Sequence, residues 1–319
     1  MSPEQSLSES QRKIRLQVMW HRLIAVVEEQ AQALLRTAFS PIVRECGDLS
    51  AGVFDLEGRM LAQAVTGTPG HINSMAAAVN HFIRHFPLKT MQAGDVYITN
   101  DPWMGTGHLN DFTLTTPCFR RRELVALFSC TSHLTDIGGV GTGPDGTDVH
   151  MEGLYIPMLK LADRGVMNET LLAMIRANTR QPVETEGDVY SLAACNDIGC
   201  ERLIEMMDEF AVESLDTLAD YICESSEKAV RSAIADLADG VYRIEAVARN
   251  VGQLASHSQM AEKGRFRLPV RLVLDGGDVV TGSRMTKSER VAGTTGTISG
   301  SWLVRAKGGT EITVRLLSE

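Results

Sequence analysis

Two runs suited to buried strands, Phe112–Phe119 and Leu124–Ser132, are separated only by Arg120–Glu123, and each abuts a copy of the pattern His-x-x-Asp. The first copy, His108 and Asp111, precedes the first run, and the second, His133 and Asp136, follows the second run. Strands joined so closely lie side by side, so loops hung on their far ends converge. A neutral imidazole offers a lone pair and a carboxylate a charged oxygen. Together they suit a borderline or hard divalent cation with open positions for water or substrate. Residues three apart on a strand point to opposite faces, so both members of a pair reach one ion only from a turn or helix. Glycines at 105, 107, 138, 139, 141 and 143 supply turns at both places. The competing reading is two histidines bonded to nearby aspartates for structural reasons alone, and the spacing leaves both readings open.

Composition narrows the setting. A net charge of -9 argues against a nucleic-acid or anionic-membrane partner, and no basic patch offsets it. The six cysteines, at 46, 118, 130, 195, 200 and 223, show no CxxC spacing, so neither a zinc knuckle nor a disulfide framework is indicated. The start MSPEQSLSESQRK has no apolar core behind a charged end, and no window approaches 18 uninterrupted apolar residues. The expected location is the cytoplasm.

Taken in order, Ser8–Thr37 reads as a long helix with Ile14, Met19, Leu23, Val26 and Leu34 near one face, ended by Ser40-Pro41. Leu49–Asp55 and Arg59–Ala64 form a hairpin across Leu56–Gly58. The loop 66–75 carries His71, and Asn73 or Ser74 is expected to cap a helix Met75–Phe86, on which His81 and His85 serve packing. Asp95–Asn100 is a strand. The irregular passage Val140–Glu152 ends with His150 and Glu152, and Gly153–Leu161 is extended. Helices follow at Glu169–Asn178, Glu184–Phe210 and Leu215–Leu237, their Met and Leu stripe reading as core or subunit interface. Beyond Gly240 the alternation is that of β-structure with a DGGD turn, and the last stretch from Thr294 reads as further strands or a loose tail. The expected fold is α+β: a mixed sheet carrying the site loops, a block of long helices and a β-rich C-terminal segment. The expected domains are 1–239 and 240–319.

Several collinear motifs add a resemblance. RECGDLSAGVFD (44–55), GHINSMAAAV (70–79), DVYITNDPWMGTGHLNDFTLTTPCF (95–119), SHLTDIGG (132–139), EGLYIPMLKL (152–161) and RANTRQPVETEGDVYSLAA (176–194) together resemble the hydantoinase B/oxoprolinase family. That family includes the B-type components of ATP-dependent hydantoinases and of acetone and acetophenone carboxylases. The resemblance implies a division of labour. An A-type partner uses ATP to phosphorylate the substrate's enol or lactim oxygen, and the B-type chain completes ring-amide hydrolysis or carboxylation. In keeping with that, the chain contains no GxxxxGK[ST] motif, so ATP is expected on the partner and not here.

By position, the resemblance nominates Glu45, His108, Asp111 and His133 as ligands of a divalent ion (Mn, Zn or Fe). Asp136 would orient His133, and His71 would face the same cavity. The chain is also short beside the family's usual B-type components, which makes it resemble the small ε subunit of acetophenone carboxylase. The leading expectation is thus a component of a multisubunit ATP-dependent ketone carboxylase, acting on an enol phosphate and bicarbonate-derived CO2 beside the A-type and other carboxylase subunits, which would complete its pocket walls. The alternatives are the B-type component of a hydantoinase or oxoprolinase opening a cyclic amide, and a non-catalytic docking subunit presenting the helical face 186–237.

Overall fold

The computed structural model describes residues 8–141, 146–238, 240–250, 270–288, 291, 296–306 and 309–317. Gly143 of the turn-forming set, residues 251–269 of the β-rich C-terminal segment and parts of the passages from 140 and from 294 lie outside them. The chain divides into two compact units, Met1–Ser225 and Ser226–Glu319.

The first unit is built on one sheet of seven strands. In chain order these are β1 (Leu49–Phe54), β2 (Met60–Gln63), β3 (Val96–Thr99), β4 (Asp111–Arg120), β5 (Glu123–His133), β6 (Leu159–Asp163) and β7 (Val166–Met167), arranged spatially as β2-β1-β5-β4-β3-β6-β7. The mixed sheet expected from sequence is corrected here, since every pairing is antiparallel. The β1–β2, β4–β5 and β6–β7 connections are tight turns, whereas β1–β5 and β3–β6 pair between strands distant in sequence.

Alternation along the strands gives the sheet two buried faces. On one, Val53, Cys118, Ala126 and Phe128 pack against α1 (Glu9–Thr37) and α5 (Pro182–Glu209), through Leu23, Val26, Leu203 and Met206. On the other, Phe54, Tyr97 and Leu127 pack against Met75, Val79 and Phe82 of α3 (Pro69–His85). A reciprocal cap starts α1: Ser8 Oγ accepts the Gln11 N–H, and Gln11 Oε1 accepts the Ser8 N–H. α3 begins six residues before the expected Met75 because Pro69, with its fixed φ and missing N–H, occupies the first helical turn. Ser74 is consequently not a cap, and its hydroxyl donates back to the carbonyls of Gly70 and His71. The short α2 (Pro41–Arg44) and the helix α4 (Glu169–Asn178), capped by Asn168 on the Leu171 N–H, complete this unit.

α6 (Asp216–Ala238) runs across the division between the units. The second unit holds β8 (Val241–Arg249), β9 (Val270–Asp275), β10 (Asp278–Thr281), β11 (Met285–Ser288), β12 (Thr297–Arg305) and β13 (Thr313–Leu317). They form two three-stranded antiparallel sheets, β10-β12-β8 and β11-β9-β13. Leu272, Leu274, Ile298, Trp302 and Val304 make its core, and the Trp302 indole donates to the Ser283 carbonyl. The architecture is α+β. Among the described residues no helix is long and apolar enough to cross a membrane.

Candidate metal centre

β4 and β5 pair so that Asp111, the first residue of one, stands opposite His133, the last of the other. The flanking loops are tied in the same register. The Leu134 N–H bonds to the Asn110 carbonyl at 2.8 Å, and Asn110 Nδ2 donates to the Leu134 carbonyl at 2.9 Å. Asn100, at the end of β3, donates through Nδ2 to the carbonyls of Leu109 and Leu154 and accepts the Ile156 N–H. These two buried asparagines satisfy loop backbone that would otherwise be unpaired inside the protein.

Three imidazoles surround the Asp111 carboxylate. His133 Nδ1 lies 3.2 Å from Oδ1, a hydrogen bond in which the ring donates, because an ionised carboxylate only accepts. His108 Nε2, from the loop before β4, lies 3.0 Å from the same oxygen. His71, in the first turn of α3, brings Nε2 to 3.1 Å from Oδ2. That last approach makes no hydrogen bond, and both Asp111 Oδ2 and His71 Nδ1 are buried without a hydrogen-bond partner. Asp48 Oδ1 is 3.9 Å from His71 Nδ1 and accepts the Thr68 hydroxyl, while its carbonyl accepts from the His133 N–H and the Ser132 hydroxyl.

Asp111 is fully buried, yet it is held ionised. Burial pushes its carboxyl up, and the contacts with His108, His133 and His71 more than reverse that, leaving it far below the usual carboxylate range. His108 is raised, first by its contact with Asp111, against a smaller opposing effect of burial, and further by the charges of Asp111, Glu152 and Asp48. Its side chain keeps 40% of its exposure, so the cluster opens to solvent on the His108 side.

The donor atoms of His108, Asp111 and His133 lie within 4.8 Å of one another. Two imidazoles and a carboxylate at that spacing fit a divalent cation and leave coordination positions open, and Asp111 Oδ2, buried beside His71 with no hydrogen bond, is an oxygen free to ligate. His71 joins this cluster. Glu45 and Asp136 do not. Glu45 caps the single turn of α2, is largely exposed and pairs with Arg44, whereas Asp48, three residues later, is the one that turns toward His71. Asp136 does not orient His133. Its carboxylate accepts from the backbone N–H groups of Gly138, Arg180 and Gln181 and from the Arg180 guanidinium, pinning the loop after β5 to the start of α5. Burial raises its carboxyl, but the bonds from Gly138 and Arg180 win and lower it.

Residues 12–286 match the family model described as hydantoinase B/oxoprolinase. The chain belongs to this family. It is 29% identical over 273 residues to the B-type component of a putative D-/L-hydantoinase from a Pseudomonas species, covering 83% of this chain and 45% of that one. The crystal structure of ATP-dependent caprolactamase from Pseudomonas jessenii superposes with a TM-score of 0.66 at 28% identity, covering 77% of this chain and 42% of that one. The nucleotide-free structure of acetone carboxylase gives a TM-score of 0.64 at 19% identity, with 83% of this chain and 32% of that one covered, a likeness of fold alone. The chain thus spans less than half the length of these relatives.

Asn100, Asn110, Asp48 and Arg180 are the site-building residues that reasoning from sequence missed. For Asn110 a signal exists: it stands inside HLND, between a nominated histidine and a nominated aspartate.

Proposed function

We propose that this member of the hydantoinase B/oxoprolinase family is the B-type component of an ATP-dependent complex that opens a ring amide, and that it holds a divalent cation on His108, Asp111 and His133. One observation carries the reading. Three imidazoles converge on one buried, ionised carboxylate at the end of β4 and β5, with one carboxylate oxygen making no hydrogen bond and His108 facing solvent. Such a cation polarises a substrate oxygen and lowers the pKa of bound water. The chain's own residues provide the fixed donors, with Asp111 held in place by its cross-strand partner and His71 closing the cluster from α3. Activation by ATP belongs to a partner subunit, as the missing phosphate-binding motif suggests. Ring-amide cleavage is preferred because the relatives near 28–29% identity are named as components of a hydantoinase and of a caprolactamase. Ketone carboxylation, the leading expectation from sequence, becomes the second reading, because the likeness to acetone carboxylase is one of fold.

The test is reconstitution with an A-type partner. ATP-dependent opening of a hydantoin or lactam ring that requires this chain and disappears with His133→Ala supports the proposal. Incorporation of labelled bicarbonate into a ketone without ring opening selects the second reading. Full activity in the absence of a bound ion sinks the metal-centred account and leaves a docking role.

A further inference from the structure

Glu152 closes the short 3-10 turn Val149–Met151, and its Oε2 accepts the backbone N–H of Leu109 at 2.9 Å. Leu109 is completely buried and sits between His108 and Asn110, so this bond grips the peptide that immediately follows a nominated ligand. The segment carrying Glu152 is fixed on its other side to the loop after β5. The Met151 carbonyl accepts the Val140 N–H at 2.9 Å, and the Leu154 N–H bonds to the Ile137 carbonyl at 2.8 Å. Contact there is tight, for a Cβ on Gly139 would stand 2.3 Å from the Met151 carbonyl oxygen. Residues 149–154 are therefore wedged between the loop that carries His108 and the loop that follows His133.

We infer that Glu152 is a positioning residue for the cation site, an inference that rests on the metal reading above. The turn it holds contains Gly107 at φ 116°, a conformation that favours glycine, so the backbone enters His108 through a residue with no side chain to fix it. A carboxylate accepting a buried N–H makes a stronger bond than a neutral acceptor and a more directional anchor than solvent. Glu152 acts through Leu109 and not as a donor to the ion, since the donor set within 4.8 Å is His108, Asp111 and His133.

The experiment is calorimetric titration of Mn²⁺ and of Zn²⁺ into the chelator-stripped full chain, comparing wild type, Glu152→Ala and Glu152→Gln, each well below the melting temperature of its own metal-free form. Glutamine retains a side-chain oxygen for the Leu109 N–H. Glu152→Ala is expected to bind about ten- to a hundredfold more weakly, as loss of an outer support commonly does, with Glu152→Gln within about threefold of wild type. Ala binding as tightly as wild type overturns the inference. So does equal weakening in Ala and Gln, which would make charge and not the hydrogen bond the operative feature. Failure of the wild-type chain to bind either ion is a separate result that removes the metal reading and this inference with it.

Discussion

Asp111 and His133 are direct cross-strand partners at the open end of the β4–β5 pair, and the His133 Nδ1–H donates to Asp111 Oδ1 at 3.2 Å. The ladder of the hairpin thus sets the distance between two nominated ligands before any ion arrives. Asp111→Asn keeps the size of the side chain and removes the charge that faces three imidazoles. We expect this variant to keep a native far-UV circular dichroism spectrum and to carry less than about a tenth of the wild-type metal content, since loss of even a residue that only supports a ligand costs about tenfold or more. Elemental analysis reads the content directly, and a variant as metal-rich as wild type would count against Asp111 as a ligand.

Asn110 should matter for folding as well as for the site. Its Nδ2 is the donor to the buried end of Leu134 C=O, so Asn110→Ala is expected to cost about 1–3 kcal/mol through an unpaired carbonyl. Asn110→Asp should be worse, because a carboxylate would then face that carbonyl oxygen with no proton between them. Urea unfolding of the metal-free chain measures both, and an Asp variant more stable than the Ala variant would refute the assignment.

At the contact between α5 and the sheet, Gly199 lies against the Phe128 ring, where an added Cβ would stand 2.5 Å from a ring carbon. Overpacking of this kind costs about 1–3 kcal/mol, against a gain of up to about 1 kcal/mol for alanine over glycine in a helix. Gly199→Ala should therefore lower the urea midpoint of the first unit. An unchanged or higher midpoint would mean that α5 can shift away from β5 without loss.

The acid limit of stability should depend on Asp95. Burial raises this carboxyl, but Lys160, the N–H groups of Arg164 and Gln92, and the Tyr97 hydroxyl together lower it below its ordinary value. A folded-state pKa below the unfolded value of about 3.9 gives a contribution fully present above that pH and lost as pH falls through the folded pKa. Asp95→Asn should accordingly be less stable than wild type near neutrality, with the gap narrowing below about pH 4. Urea midpoints measured from pH 7 down to the acid transition decide this, and a gap that stays constant would exclude Asp95 as its source.

Much of this fold is legible in the sequence because apolar periodicity is local. The helix α1, the β1–β2 hairpin and the β4–β5 pair follow from spacing alone, and His108, Asp111 and His133, which pattern and resemblance nominate together, do stand together. What was not legible depends on chain direction over a few residues. Pro69 extends α3 backwards and so puts His71 on a helix instead of in a loop. The one turn of α2 sends Glu45 to solvent while Asp48 turns inward. The two His-x-x-Asp copies look alike in sequence, yet Asp111 begins a strand and Asp136 sits in a loop drawn toward Arg180. The sheet is antiparallel throughout, and only part of that is set by short connections: β1–β2, β4–β5 and β6–β7 are joined by turns, whereas β1–β5 and β3–β6 pair between strands distant in sequence, which no local pattern announces.

The most direct test of the central claim is metal stoichiometry on the purified full chain, stripped with a chelator, reloaded with Mn²⁺ or Zn²⁺ and measured beside His108→Ala. The account predicts one equivalent in the wild-type chain and a loss of most of it in the variant. A wild-type chain that retains no ion, or a His108→Ala chain that retains the full equivalent, would contradict it.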